Sequence, residues 1–119
     1  LLAEDNIVNQ KVALKMLEKL GIDVDIANNG KEAVKMSEEK SYDLIFMDCQ
    51  MPEMDGFDAT RTIRSLELKT GKVATPIIAL TANALEGDKN QCLAAGMNDF
   101  LAKPLKQEAL HTLLKKYQL

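Results

Sequence analysis

The fold is decided by a stretch near the middle of the chain, Asp43-Leu44-Ile45-Phe46-Met47-Asp48. Its apolar residues follow one another without alternation, which is typical of a strand that is buried on both faces of a parallel sheet. The stretch Ile77-Ile78-Ala79-Leu80 repeats this pattern and is followed by Thr81. Both stretches therefore predict central strands, and a polar residue stands where each of them ends.

Working outward, we predict five strands, at residues 1–3, 22–27, 43–47, 76–80 and 98–102. Helical patterns lie between and after them, near residues 6–20, 30–39, 57–68, 84–95 and 107–117. Strands that alternate with helices predict a parallel sheet with helices on both faces. A closed eight-stranded barrel needs about 250 residues, so the sequence predicts an open, doubly wound α/β sheet of five strands with five helices.

Length and charge limit the classes of protein. The 119 residues are enough for a single domain, residues 1–119, and the abrupt apolar start predicts that the first strand is truncated. A net charge of −3 gives no basic surface for nucleic acid, and no apolar run approaches the ~20 residues that span a bilayer. The two cysteines have neither metal-type spacing nor a disulfide framework, so we predict a cytoplasmic domain without direct membrane contact.

Reactive side chains follow four of the predicted strands. Glu4 and Asp5 come after the first strand, Asp48 after the third, Thr81 after the fourth and Lys103 after the fifth. In an open parallel sheet the carboxyl ends of the strands share one edge, and ligands bind there. We therefore expect these side chains to meet in one crevice.

The charges of that crevice predict a cation. Two carboxylates ~4 Å apart repel each other by about 4 kcal/mol at an effective dielectric constant of ~20. Lys103 alone cannot offset Glu4, Asp5 and Asp48. Hard oxygen ligands without histidine favour Mg²⁺, which also binds phosphate oxygens. The composition of the site is thus typical of phosphoryl transfer.

Four short motifs carry a resemblance to a known family, and they lie at residues 3–6, 47–56, 79–82 and 102–105. They read Ala3-Glu4-Asp5-Asn6, Met47-Asp48-Cys49-Gln50-Met51-Pro52-Glu53-Met54-Asp55-Gly56, Ala79-Leu80-Thr81-Ala82 and Ala102-Lys103-Pro104-Leu105. Together they resemble the receiver domains of response regulators, over essentially the whole chain. The most similar subgroup is the receivers of hybrid sensor histidine kinases. The resemblance implies a flavodoxin-like sheet with strand order 2-1-3-4-5.

The resemblance also implies roles for the site residues. Asp48 would be the phosphoacceptor, and Glu4 and Asp5 the acidic pair that binds Mg²⁺ together with Asp48. The main-chain carbonyl of Gln50 would be a further metal ligand.

The remaining roles concern the phosphoryl group and the response to it. Thr81 would bind a phosphoryl oxygen and Lys103 would pair with the phosphoryl charge. Phe100 would be the aromatic switch residue, although relatives often have tyrosine there.

The expected donor is a histidine kinase or a histidine-phosphotransfer protein. The domain would also phosphorylate itself from small phosphodonors and dephosphorylate slowly, so it is only marginally an enzyme. The resemblance further implies a hybrid histidine kinase as the full-length protein, in which this domain would be tethered to a membrane sensor kinase. In the first helix, Ala13 and Leu17 belong to a core-facing stripe. Ile7 and Leu14 project away from that stripe, and we expect them to form the docking surface.

Two other functions are compatible with parts of the pattern. A Mg²⁺-dependent phosphohydrolase could use Asp48 as its nucleophile, but the haloacid-dehalogenase type has a second aspartate where this chain has Gln50. A receiver-like module that only binds partners would be expected to lack Asp48, an acid of the pair or Lys103. The sequence favours the phosphoaccepting receiver.

Overall fold

A five-stranded parallel sheet with helices on both faces forms the domain, and its strand order is β2-β1-β3-β4-β5. The structure is a computed structural model that describes residues 1–51, 54–82, 86–103 and 105–117. In chain order the elements are β1 Leu2–Ala3, α1 Ile7–Lys19, β2 Ile26–Ala27, α2 Gly30–Glu39, β3 Ile45–Asp48, α3 Gly56–Thr70, β4 Ile77–Thr81, α4 Glu86–Ala95, β5 Asp99–Ala102 and α5 Gln107–Lys116. The predicted α/β class and strand order are confirmed.

The central strands β3 and β4 are buried along their whole length. Alternate side chains of β3 point to opposite sides, so that Ile45 and Met47 join one apolar cluster and Phe46 joins the other. Helices α2, α3 and α4 cover the first cluster, and α1 and α5 cover the second. Because both faces are covered, the two middle strands must be apolar throughout, as the sequence indicated.

Strand β2 is shorter than predicted. Residues 22–27 were expected to form it, but only Ile26 and Ala27 pair with a neighbouring strand. Their partners are Leu2 and Ala3, and the Leu2 N–H also donates a hydrogen bond to the Asp25 carbonyl (2.9 Å). The alternating pattern in the sequence correctly indicates an edge position.

The predicted helices are present, with small shifts of their ends. The helix expected at 57–68 runs from Gly56 to Thr70, because Asp55 caps its first turn by accepting a hydrogen bond from the Asp58 N–H (2.8 Å) and Gly71 ends it at φ 70°. Residues 84 and 85 of the fourth predicted helix lie outside the described residues. None of the helices in the described part of the chain combines the length and apolar character needed to span a bilayer.

A partly buried arginine holds the amino end of the sheet together. Arg64 donates from Nε to the Gly96 carbonyl (2.9 Å) and from Nη1 to the Thr75 carbonyl (2.8 Å) and to Glu67 Oε1 (2.7 Å). Its Nη2 donates to Asn98 Oδ1 (2.7 Å). The Glu67 side chain is only 10% exposed, so Arg64 neutralises a buried carboxylate, whose Oε2 also accepts a hydrogen bond from the Thr75 N–H (2.8 Å).

Removing this arginine should destabilise the domain strongly. In Arg64→Met the Glu67 carboxylate stays buried without its cation, and we expect a loss of about 3 kcal/mol in the free energy of unfolding. The matched control is Arg61→Met, because Arg61 pairs with Asp58 on the surface, where both side chains are more than half exposed. That change should cost at most about 1 kcal/mol. Urea unfolding followed by circular dichroism measures both, and equal losses would contradict the role given to Arg64.

Candidate active site at the carboxyl edge of the sheet

The polar groups that follow four strands lie around one crevice, as the sequence predicted. The crevice has a volume of about 350 Å³ and opens at the carboxyl edge of the sheet. The residues that line it include Asp5, Asp48, Gln50, Thr81 and Lys103. Glu4 is 2% exposed and lies beneath this surface.

A lysine joins two of the carboxylates. Lys103 Nζ lies 3.0 Å from Asp48 Oδ2 and 3.2 Å from Glu4 Oε1. The backbone holds this lysine in place, because its N–H donates to the Thr81 carbonyl (2.7 Å). The ends of β1, β3, β4 and β5 are therefore connected through a single side chain and its own peptide group.

Burial and charge act on the ionisation of these groups. Burial raises the pKa of Glu4, and a hydrogen bond with Asp48 and the charge of Asp48 raise it further. For Lys103, burial works to lower the pKa, but the hydrogen bond and charge of Asp48, together with Glu4, outweigh it and the pKa is raised. The lysine therefore stays charged while Glu4 resists ionisation, as expected for a site with more acids than bases.

The donor set fits a hard divalent cation. Carboxylate oxygens of Glu4, Asp5 and Asp48 lie within 4.8 Å of one another. With Lys103 they make three carboxylates and one ammonium group, a formal charge of −2. Asp5 is exposed and Glu4 and Asp48 are buried, so the cluster has one side open to solvent. Oxygen ligands with one open side are what Mg²⁺ uses when it keeps part of its water shell.

The loop after β3 brings its main chain back to the site. The Gln50 N–H donates to Asp48 Oδ1 (3.2 Å), and the Gly56 N–H donates to the Cys49 carbonyl (3.1 Å). A Cβ atom at Gly56 would collide with the Asp48 carbonyl oxygen, so only glycine lets α3 begin this close to the strand end. Whether the Gln50 carbonyl is a metal ligand stays a prediction.

Of two further predicted site residues, Thr81 lines the crevice and Phe100 does not. Thr81 is buried at the end of β4 and lines the crevice. Phe100 is half-buried in β5, packs against the cluster under α2, α3 and α4, and has Lys89 Nζ 5.9 Å from its ring centroid. It does not line the crevice, so its role as a switch stays a prediction.

The exposed apolar surface of α1 differs from the one predicted. Ile7 is 64% exposed, as expected, but Leu14 is half-buried because its same-face neighbours, Gln10 and Leu17, are both buried. Val8 and Val12, which were not predicted, are 68% and 45% exposed. These three residues, Ile7, Val8 and Val12, form the apolar surface of α1, which adjoins the crevice through Asn6 and Asn9.

Sequence reasoning also missed a buried amide next to the acidic pair. Gln10 occupies the position on the core-facing side of α1 that precedes Ala13 by one helical turn. It donates hydrogen bonds to the Glu4 carbonyl and to Asn28 Oδ1. A polar residue inside an apolar stripe is a signal that the sequence contained and that could have identified it.

The fold and the crevice define a class: doubly wound α/β domains that hold an acidic cluster and a lysine at the carboxyl edge of the sheet. Residues 1–115 match the family model of the response regulator receiver domain. The chain belongs to this family.

Known relatives point to one subgroup. The chain is 50% identical to part of hybrid signal transduction histidine kinase B of Dictyostelium discoideum, and 98% of the chain aligns with 6% of that protein. Among solved structures, the receiver domain of the sensor histidine kinase PA1611 from Pseudomonas aeruginosa, with a magnesium ion in its active-site cleft, has 50% identity and a TM-score of 0.87 over 98% of this chain and 93% of that one.

A third relative was solved with a partner protein. The receiver domain of the Saccharomyces cerevisiae response regulator Ssk1, in a co-crystal with the histidine phosphotransfer protein Ypd1, has 36% identity and a TM-score of 0.93. The match covers 98% of this chain and 85% of that one. The curated relatives are much longer than this chain, so the comparison concerns one domain of each.

Proposed function

We propose that the domain accepts a phosphoryl group on Asp48 from a phosphohistidine of a partner protein, as a step in a two-component phosphorelay. The observation that carries the proposal is the arrangement around Asp48: two more carboxylates within 4.8 Å and Lys103 Nζ at 3.0 Å. A carboxylate beside a fixed cation and an acidic cluster is suited to phosphoryl transfer.

Each residue of the site has its own role in phosphoryl transfer. A carboxylate oxygen of Asp48 attacks phosphorus, the phosphorus–nitrogen bond to the partner's histidine breaks, and the imidazole leaves with the bonding electrons. Lys103 keeps its positive charge next to the phosphoryl oxygens, and the Thr81 hydroxyl donates a hydrogen bond to one of them. When bound by Glu4, Asp5, Asp48 and the Gln50 carbonyl, Mg²⁺ supplies further positive charge for the phosphoryl oxygens.

The phosphorylated site then changes the surface of the domain. Thr81 and Lys103 turn toward the new phosphoryl oxygens, and Phe100 rotates inward from its half-buried position in β5. Such a change shifts a pre-existing equilibrium between two conformations. Water slowly attacks the phosphorus of the acyl phosphate. This reaction releases inorganic phosphate and returns Asp48 to its free carboxylate.

The donor class follows from the relatives. The D. discoideum relative is a hybrid histidine kinase, and Ssk1 was solved with a histidine phosphotransfer protein. A phosphohistidine on a histidine kinase or on a phosphotransfer protein is therefore the donor that we propose for this chain. The larger protein that we infer is a hybrid kinase.

Removal of divalent cations should stop phosphorylation. Incubated with acetyl phosphate and Mg²⁺, the domain should gain the mass of one phosphoryl group. With EDTA in place of Mg²⁺, it should gain none, because the acidic cluster then repels the phosphodonor. Intact-mass spectrometry measures both reactions. Equal labelling without a divalent cation would refute the metal site, and no labelling under any condition would favour a module that only binds partners.

The apolar surface of α1 should be needed for a protein donor only. Replacing Ile7 and Val8 with serine removes two exposed apolar groups beside the crevice, and we expect phosphotransfer from a histidine-phosphotransfer protein to slow by about tenfold. Labelling by acetyl phosphate should not change, since the small donor needs no docking surface.

A matched control uses apolar residues that are exposed elsewhere. Leu68 and Val73 are 85% and 90% exposed near the end of α3, away from the crevice. Their replacement with serine should leave both reactions at the wild-type rate. If the double change on α1 slows neither reaction, or slows both equally, α1 is not the docking surface.

A further inference from the structure

Gln10 is a buried polar residue whose hydrogen bonds lead to the acidic cluster. It is 8% exposed on the side of α1 that also buries Ala13 and Leu17. An amide in such a place is unfavourable unless its donors find partners. The hydrogen-bond partners of Gln10 therefore indicate its role.

One nitrogen of the side chain donates two hydrogen bonds. Gln10 Nε2 donates to the main-chain carbonyl of Glu4 (2.5 Å) and to Asn28 Oδ1 (2.9 Å). Asn28 in turn donates from Nδ2 to Glu32 Oε1 (3.3 Å) in α2. The amide thus connects α1, the end of β1 and the segment between β2 and α2.

These bonds fix the peptide that carries the acidic pair. The Glu4 N–H is already held by the Ala27 carbonyl (3.0 Å), so the backbone of Glu4 is bound on both sides. The carbonyl that Gln10 holds belongs to the peptide bond between Glu4 and Asp5. Its orientation sets where both carboxylates point, and they lie within 4.8 Å of each other and of Asp48.

We propose that Gln10 is a positioning residue for the cation site: it holds the Glu4–Asp5 peptide so that both carboxylates face the same ion. The inference rests on the proposed Mg²⁺ site and adds to it a residue that touches neither the ion nor the phosphoryl group. Residues that orient metal ligands commonly contribute roughly 10- to 100-fold to metal affinity. Since Gln10 acts through the main chain, we expect an effect at the lower end.

The test is Mg²⁺ titration by isothermal calorimetry on Gln10→Met, which keeps the approximate volume of the side chain and removes its donors. We expect affinity to fall by roughly tenfold. The control is Ala13→Gly, which weakens the same helix on the same buried face without touching the hydrogen bonds. It should lower the melting temperature and leave Mg²⁺ affinity unchanged.

Wild-type affinity in folded Gln10→Met would overturn the inference, and so would an equal loss of affinity in Ala13→Gly. If Gln10→Met does not fold, the same titration on Asn28→Ala tests the inference. Asn28 is exposed, and its Oδ1 accepts a hydrogen bond from the Gln10 amide. Weaker binding there supports the inference and unchanged binding overturns it. Wild-type protein that binds no Mg²⁺ would overturn the proposed function as well, so the two failures are distinguishable.

Discussion

Asp48→Asn is expected to remove phosphoryl incorporation completely. The amide has nearly the same size as the carboxylate, so the buried end of β3 and the backbone bond from Cys49 to Leu80 should persist. An amide oxygen carries no negative charge and is a far weaker nucleophile toward phosphorus. Intact-mass spectrometry after incubation with acetyl phosphate and Mg²⁺ should show only unmodified protein.

A second aspartate, at the start of α3, provides the matched control. Asp55 is half-buried and caps α3 through the Asp58 N–H, and asparagine caps helices equally well. Asp55→Asn should therefore fold and accept one phosphoryl group as the wild type does. Phosphoryl incorporation into Asp48→Asn at the wild-type level would show that another residue is the acceptor.

The second large effect is expected from Asp5→Asn, which should weaken Mg²⁺ binding by about a hundredfold. Asp5 is the exposed member of the acidic cluster, and even two unit charges of opposite sign ~4 Å apart attract each other by about 4 kcal/mol at an effective dielectric constant of ~20. A hundredfold change corresponds to about 2.7 kcal/mol. Glu4→Gln should have a smaller effect, because burial raises the pKa of Glu4 and its charge is already paired with Lys103.

An acid at the opposite edge of the sheet controls for net charge. Asp43 is exposed and precedes β3 at the amino edge of the sheet. Asp43→Asn changes the charge of the protein by the same amount as Asp5→Asn, and calorimetric titration should find its Mg²⁺ affinity unchanged. Equal losses in the two variants would mean that the ion responds to overall charge and that Asp5 is not a ligand.

Much of the site could be predicted from sequence because parallel strands restrict where their ends lie. Once residues 44–47 and 77–80 are assigned to central strands, Asp48 and Thr81 must stand at the same edge. The structure confirms this placement and brings Lys103 to 3.0 Å from Asp48. The excess of carboxylates over lysines, which predicts a cation, follows from residue identities alone and requires no distances.

Other features depend on contacts that no local pattern encodes. The partial burial of Leu14 depends on the buried residues next to it on α1. The role of Gln10 depends on the loop at Asn28, which is distant in sequence. Residue type and periodicity indicate which face of an element is buried, but not which polar groups will meet across elements.

Reductive trapping tests most directly whether Asp48 itself carries the phosphoryl group. Sodium borohydride reduces an acyl phosphate to an alcohol, so phosphorylated aspartate becomes homoserine and can be located by tandem mass spectrometry of peptides. After incubation with acetyl phosphate and Mg²⁺, we predict homoserine at position 48 and unmodified aspartate at positions 5 and 55. Reduction at another acid, or a phosphoryl group that survives borohydride on His111, would contradict the account.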